Sequence, residues 1–265
     1  MKNTLSILFS LNALLYNFYS QENKKDSLNF ELISLEEINV TAIRALKEQP
    51  FSFSNIDKKN LEKRNLGQDL PILLNFLPSV VTTSDAGAGI GYTGIRVRGS
   101  DATRVNVTIN GIPYNDSESQ GTFWVNLPDF SSSVENIQLQ RGVGTSTNGS
   151  SAFGASLNIL TDGISDEKFL EISNSLGSFT TLKNTVRFST GDINENFQIS
   201  GRFSKIVSDG YIERASSNLK SYFLQTSFSK ARTLFKALLF GGHEITYQSW
   251  YGVDPETLSE DRRYN

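Results

Sequence analysis

Apolar residues recur along this chain with two different spacings, and the pattern changes beyond about Glu167. Between Gln68 and Leu77, Leu70, Leu73, Leu74 and Leu77 fall at helical spacing; Pro71 suits a first turn and Pro78 ends the segment. One helix with one buried face is expected there. Val105, Val107 and Ile109 then alternate with polar residues and reach Asn110-Gly111, a pair that favours positive φ, so the arm and turn of a hairpin are expected. Further strands are expected on Val134, Ile137 and Leu139, and, after a glycine- and serine-rich loop, around Leu157 and Ile159. Past Glu167 the alternation is sustained. Leu170, Ile172 and Leu176 oppose Glu171, Ser173 and Ser175; Leu182, Val186 and Phe188 oppose Lys183, Thr185 and Arg187; Phe197, Ile199 and Phe203 oppose Gln198, Ser200 and Arg202. With two less regular segments, Leu219 to Phe228 and Leu234 to Tyr247, this gives about five strands. Such alternation fits barrel strands, apolar toward lipid and polar toward the lumen, and fits a soluble antiparallel sheet equally.

Several separate motifs occur in a fixed order. Ile95-Arg96-Val97-Arg98-Gly99 is followed by the Val105 to Pro113 hairpin, by Val134 to Gly142, and by Asn148-Gly149-Ser150-Ser151-Ala152-Phe153-Gly154 before Leu157-Asn158-Ile159. That order resembles the plug domain of TonB-dependent outer-membrane receptors over most of Leu35 to Thr161. The resemblance implies an α+β plug domain followed by antiparallel β strands of an incomplete transmembrane β-barrel. It divides the chain into a signal peptide (1–20), a flexible leader with a TonB box (21–46), a plug (47–165) and the first strands of a barrel (166–265). The box would be Glu37, Ile38, Asn39, Val40, Thr41 and Ala42, able to extend as a strand and pair with a sheet edge of the TonB energy-transducing complex of the inner membrane. Taken alone, the same segment also reads as an edge strand of the plug.

The resemblance also implies that the loops Asp85 to Tyr92, Ser100 to Thr103 and Tyr114 to Trp124 face a ligand. Tyr92, Tyr114, Phe123 and Trp124 would offer flat apolar contact, and Ser100, Asp101, Asn115 and Asp116 hydrogen bonds. Each aromatic could instead pack inside the plug, Trp124 above all, beside Val125 and Leu127. Arg96, Arg98 and Arg141, with Arg104 nearby, would hold carboxylates of the barrel wall by paired hydrogen bonds. A small-molecule ligand such as a ferric chelate and the outer-membrane lipid complete the expected partners.

Composition narrows the alternatives. The chain has 265 residues, a net charge of -3 and no cysteine, so nucleic-acid binding is not expected and a disulfide framework or thiolate metal site is excluded. One positive charge in Met1-Lys2-Asn3 precedes an apolar run from about Leu5 to Tyr19, the length of a secretory signal, so export is expected, and the resemblance implies the outer membrane of a Gram-negative bacterium as the destination. Catalysis has no support: His243 is the single histidine and no motif ties it to a nucleophile. Asp116, Glu118 and Asp129 match no calcium loop and read as solvating a surface turn, so no metal or other cofactor is expected. Gly89, Gly91 and Gly94 match dinucleotide-loop spacing but lead into a strand rather than a helix. A plugged barrel has about 22 strands, so about five would leave two edges unpaired in lipid. A truncated or split product is expected on that ground, and a secreted plug-like binding module or a non-functional remnant are the rival readings.

Overall fold

The computed structural model describes residues 44–144, 148, 152–165, 167–194, 196–230 and 233–265. The expected signal peptide (1–20) and the Glu37 to Ala42 segment lie outside them. Two sheets and one hairpin make up the architecture. The first sheet runs β1 (Ser52–Asp57), β6 (Val134–Arg141), β7 (Ala155–Thr161), β4 (Val105–Ile109) and β5 (Ile112–Pro113) in spatial order, with β4 and β7 parallel and all other pairs antiparallel. β2 (Val80–Ser84) and β3 (Thr93–Val97) form a separate hairpin. The second sheet is an antiparallel meander of β8 (Lys168–Gly177), β9 (Thr181–Thr190), β10 (Phe197–Ser208), β11 (Ser217–Lys230) and β12 (Thr233–Thr246).

Local chemistry accounts for most boundaries. Asn110 and Gly111 both take positive φ, 50° and 82°, so the β4–β5 connection has the tight hairpin turn that this pair favours. The expected leucine helix is shorter than its periodicity suggested. After α1 (Lys58–Glu62), only Leu70–Leu73 is α-helical (α2), and the chain continues to Leu77 through i→i−3 bonds such as Leu77 N–H to Leu74 C=O at 3.0 Å. All four leucines are nevertheless buried. The glycine-rich stretch is the loop of the β2–β3 hairpin, so no helix N-terminus follows it and the dinucleotide spacing has no structural meaning here. β10 begins at Phe197, just after a turn in which Ile193 N–H bonds Phe197 C=O at 2.7 Å and Asn194 takes φ 52°.

The principal core lies between α1, α2 and the first sheet and includes Leu61, Leu74, Ile137, Leu139, Leu157 and Ile159. β4 is buried at every position, as expected of a strand covered on both faces. The face away from the apolar core is polar and also buried. Gln138 Nε2 donates to Asn55 Oδ1 (2.9 Å), Gln140 Nε2 to Gln138 Oε1 (2.9 Å), Asn148 Nδ2 to Gln140 Oε1 (2.9 Å) and Thr108 Oγ1 to Asn158 Oδ1 (2.8 Å). The same Gln138 holds both backbone groups of Ala45, accepting from its N–H at 2.7 Å and donating to its C=O at 3.1 Å.

In the second sheet the pairing registers put Leu170, Ile172, Leu176, Val186, Phe203, Tyr222, Phe235 and Leu239 on one face, which is the exposed one. Leu170, Ile172 and Leu176 are 70%, 66% and 84% exposed, an unusual state for large apolar side chains facing water. The opposite face, carrying Lys183, Thr185, Arg202, Ser204, Leu219 and Phe223, is buried against residues that precede β8, among them Ile90, Val125, Asp129 and Phe130. The sheet is open, with β8 and β12 as its edges. A substitution at the best-buried leucine of α2's turn, Leu74→Ala, is expected to destabilise the fold by about 2–5 kcal/mol, read as a lowered denaturant midpoint.

Candidate functional site

The residues that join the plug-like part to the strands are mostly polar. Asp129 takes a left-handed conformation (φ 52°, ψ 24°) at the start of the 3₁₀ turn Phe130–Ser133, and its side chain has no solvent exposure. A buried carboxylate is costly unless fully bonded. Here donors surround both oxygens. Oδ1 receives Lys183 Nζ (2.7 Å), Asn65 Nδ2 (3.2 Å) and the Ser132 hydroxyl; Oδ2 receives Thr185 Oγ1 (2.8 Å), Arg202 (3.3 Å) and the Ser204 hydroxyl. Burial raises the pKa of Asp129, but Arg202, Lys183 and these hydrogen bonds outweigh it and hold the carboxyl well below the usual range.

The network extends outward from Asp129. Arg202 also donates to Ser133 Oγ (2.8 Å), Ser204 Oγ (2.7 Å) and Ser221 Oγ (3.0 Å), while Ser221 donates to Pro128 C=O at 2.7 Å. A second, mostly buried set centres on Asp162, paired with Lys58 (2.8 Å) and Arg187 (2.9 Å); Arg187 also meets the half-exposed Glu171 (3.3 Å). Apolar contact fills the rest of the joint. Phe130 packs edge-on against Phe240 (centroids 5.2 Å) and Phe223 (6.1 Å), and Ile90 and Val125 meet the cross-strand pair Ile206 and Leu219.

Across this joint the carboxylates, Asp129 and Asp162, sit on the plug-like part and the cations, Lys183, Arg202 and Arg187, on the second sheet. Among the described residues, Arg96, Arg98 and Arg141 make no ion pair with a carboxylate. Arg141 instead donates to Ser54 Oγ (2.8 Å), Ser52 Oγ (3.2 Å) and Phe53 C=O (3.3 Å) of β1, and its pKa is lowered by burial and by the neighbouring Arg98. Arg96 and Arg98 are exposed.

The residues expected to face a ligand do not form one cluster of free groups. Trp124 does not face a ligand: it is 2% exposed and belongs to the main core with Leu127, the alternative its apolar neighbours suggested. Asn115 is not free either. It is bound to the backbone of β4, accepting from Val107 N–H (2.7 Å) and donating to Val105 C=O (2.9 Å) and Gln120 C=O (2.8 Å), which anchors the loop. Asp116 is exposed and accepts from Ser119 N–H (2.7 Å), so with Glu118 it forms the expected surface turn; Asp129 does not belong to that turn. Asp101 accepts from Thr103 N–H (3.0 Å), Ser100 is partly exposed, and Phe123 is exposed. Tyr114 is half-buried against Phe240 (6.2 Å), and burial raises its pKa. Tyr92 meets Trp250 edge-on at 5.9 Å, beside the Asp85 carbonyl that accepts from Ser249 Oγ (2.7 Å).

One further carboxyl was not foreseen. Asp69, buried at the start of α2, accepts from Thr93 Oγ1 at 2.9 Å, but its other oxygen has no partner among the described residues. Burial pushes its pKa well up, the Glu244 carboxylate of β12 adds to this, and the Thr93 hydroxyl and Gly91 N–H oppose it.

Residues 45–156 match the sequence model of the TonB-dependent receptor plug domain. A curated protein of Acinetobacter baumannii described as a probable TonB-dependent siderophore receptor, PirA, is 27% identical over 177 residues, covering 62% of this chain and 23% of that protein. The chain therefore spans about a quarter of the length of this relative. Solved structures share the fold. The unliganded ferric citrate transporter FecA superposes with a TM-score of 0.63 at 18% identity, covering 82% of this chain and 34% of that one. The siderophore receptor PirA from Acinetobacter baumannii gives 0.59 at 18%, covering 74% and 32%, and the ferric yersiniabactin uptake receptor FyuA from Yersinia pestis 0.57 at 16%, covering 73% and 31%.

The two buried aspartates should respond oppositely to substitution and to pH. Asp129→Asn removes the charge that compensates Lys183 and Arg202 and is expected to cost about 3–5 kcal/mol. Because the folded-state pKa of Asp129 lies below the unfolded value of about 3.9, its contribution is complete above that pH and declines as pH falls below it. Asp69 is shifted upward, so its charged form opposes folding as pH rises from about 4, and Asp69→Asn should be neutral or stabilising at pH 7. Denaturant midpoints of the two variants at pH 4 and pH 7 check both signs; a stabilised Asp129→Asn protein at pH 7 would overturn the account of the joint.

Proposed function

From a chain that carries the plug domain of the TonB-dependent receptors, followed by strands resembling the start of their barrel, we propose an outer-membrane importer of a scarce nutrient, a ferric siderophore or other ferric chelate. Homologous receptors are outer-membrane proteins of Gram-negative bacteria. The observation that carries the reading is the plug seated by Asp129 on Lys183 and Arg202 of strands whose other face is apolar and exposed. A secreted, soluble binding module would place Leu170, Ile172 and Leu176 in water, so the exposed face favours a wall in lipid.

In this reading the polar joint holds the plug in the lumen, where ion pairs and hydroxyls can be exchanged for water. The loops carrying Tyr92, Tyr114, Phe123 and Asp116, and the turn with Ser100 and Asp101, would be the side offered to the ligand. Arg98 and Arg141, mutually repelling and without a carboxylate among the described residues, are placed to receive acidic groups from wall strands beyond β12. Glu37 to Ala42 supplies the strand that pairs with the TonB protein of the energy-transducing complex, and the inner-membrane gradient supplies the energy. The barrel these functions need has about 22 strands, of which this chain contributes β8 to β12.

Replacing Val40 by proline deletes a backbone donor from the pairing segment. In the intact receptor, Val40→Pro is expected to abolish accumulation of radiolabelled ferric chelate by cells while surface binding of the same chelate is retained. Uptake at the unsubstituted rate would remove the box from Glu37 to Ala42, and loss of both uptake and binding would point to misassembly instead.

A further inference from the structure

The outward face of β8 to β12 is not uniformly apolar. The registers place four lysines on it, Lys168, Lys205, Lys220 and Lys230, together with His243 and, among the described residues, no aspartate or glutamate. Glu171 and Glu244 both point to the other face. Two of the lysines are direct cross-strand neighbours: Lys205 of β10 pairs with Lys220 of β11, and Lys220 pairs with His243 of β12. Like charges directly opposite each other destabilise a sheet, and neither lysine has an ion-pair partner among the described residues. Asn184 continues the same row on β9.

Beside this row lies a groove of about 540 Å³ whose outward side chains include Val186, Phe203, Tyr222 and the two lysines. The row stands three positions from the strand ends at Ser208, Ser217 and Thr246, roughly 10 Å along the strands, and this is the end where Trp250 and Ser249 meet the Asp85 to Tyr92 loop that the proposed function turns outward. Lys230, on the same face of β11, is roughly 34 Å farther along, or about 25 Å when the usual barrel tilt is allowed for. The two levels therefore bracket an apolar band as tall as the hydrocarbon layer. At the Lys230 level the cations are dispersed, with Lys168 and Lys230 on strands at different places in the sheet. At the other level they are concentrated over an apolar groove.

We propose that Lys205 and Lys220, with His243 beside them, form a docking site for one phosphorylated lipid of the outer leaflet, the phosphate held by the two ammonium groups and an acyl chain lying over Phe203 and Val186. This rests on the reading that the face is turned to lipid. Charge complementarity singles out an anionic headgroup, since the site offers cations and no carboxylate, and the groove singles out an amphiphile over a free ion. A lysine at a membrane surface interacts with anionic lipid by about 1 kcal/mol. Two acting together correspond to a roughly thirtyfold preference.

The test uses the intact receptor, delipidated in a zwitterionic detergent and titrated with diphosphoryl lipid A, with its dephosphorylated counterpart and with inorganic phosphate, bound lipid being counted by native mass spectrometry. Expected is retention of about one phosphorylated lipid per receptor, weakened tenfold or more in the double variant Lys205→Gln with Lys220→Gln. The corresponding double arginine variant should restore it, and Lys168→Gln with Lys230→Gln should leave it unchanged. Equal retention of the dephosphorylated lipid, an equal loss from the Lys168 and Lys230 variant, or displacement by free phosphate would each overturn the proposal. A receptor absent from the outer-membrane fraction would instead sink the membrane reading beneath it, whereas one correctly inserted but indifferent to phosphate sinks only the lipid site.

Discussion

A fully buried carboxylate, Asp129, stands between two cations that come from different strands of another sheet, and the rest of the architecture is constrained by it. Removing a carboxylate or an ammonium group from water costs several kcal/mol even after relaxation. That cost is offset only while Lys183 and Arg202 are both in place, so the plug cannot shift along the wall without stranding a charge. The constraint also fixes register. Lys183 and Arg202 must share the inner face with Thr185 and Ser204, and a slip of one residue in β9 or β10 would turn these groups outward and bring Val186 and Phe203 inward. The exposed apolar band and the buried polar joint are therefore two sides of one pairing pattern.

The joint's composition bears on whether it can be undone. An apolar interface of this extent would resist separation through the hydrophobic effect, and water could not replace its contacts. Around Asp129 and Asp162, by contrast, serines, threonines, lysine and arginine can all be rehydrated when the surfaces part. The apolar part of the joint is confined to two patches, Phe130 with Phe223 and Phe240, and Ile90 and Val125 with Ile206 and Leu219. A plug held in this way is specific in position while remaining removable, as import by displacement of the plug would require.

Much of this was legible in the sequence because it depends on neighbours. The strict alternation in Phe169 to Ser189 fixes two faces without reference to any partner, and Asn110-Gly111 specifies its own turn. What was not legible depends on distant residues. Asp129 resembles Asp116 and Glu118 in its local surroundings, yet its bonds run 56 residues forward to Thr185 and 73 to Arg202. Nothing within a window around Pro128-Asp129 distinguishes a solvated turn from a buried ion pair. The cations of this joint were missed for the same reason, since Lys183, Arg187 and Arg202 lie scattered in alternating strands without a motif of their own.

The buried polar face of the first sheet places a further limit on how the plug can come apart. On β6, Ile137 and Leu139 enter the apolar core, whereas Gln138 and Gln140 turn to the other side and are just as buried. A core with one apolar face and one amide-lined face has less apolar area to lose on opening, and its amides can bond to water as they are exposed. Gln138 ties this face to the backbone of Ala45, and Arg44 donates to Asn136 of the same strand, so β6 is where the segment preceding the plug is fastened. If Glu37 to Ala42 is the pairing segment of the proposed importer, tension on it would reach those bonds before the leucine core around Leu61 and Leu74. Loosening can therefore begin at the polar face while the leucine core and the Asp129 joint are still intact.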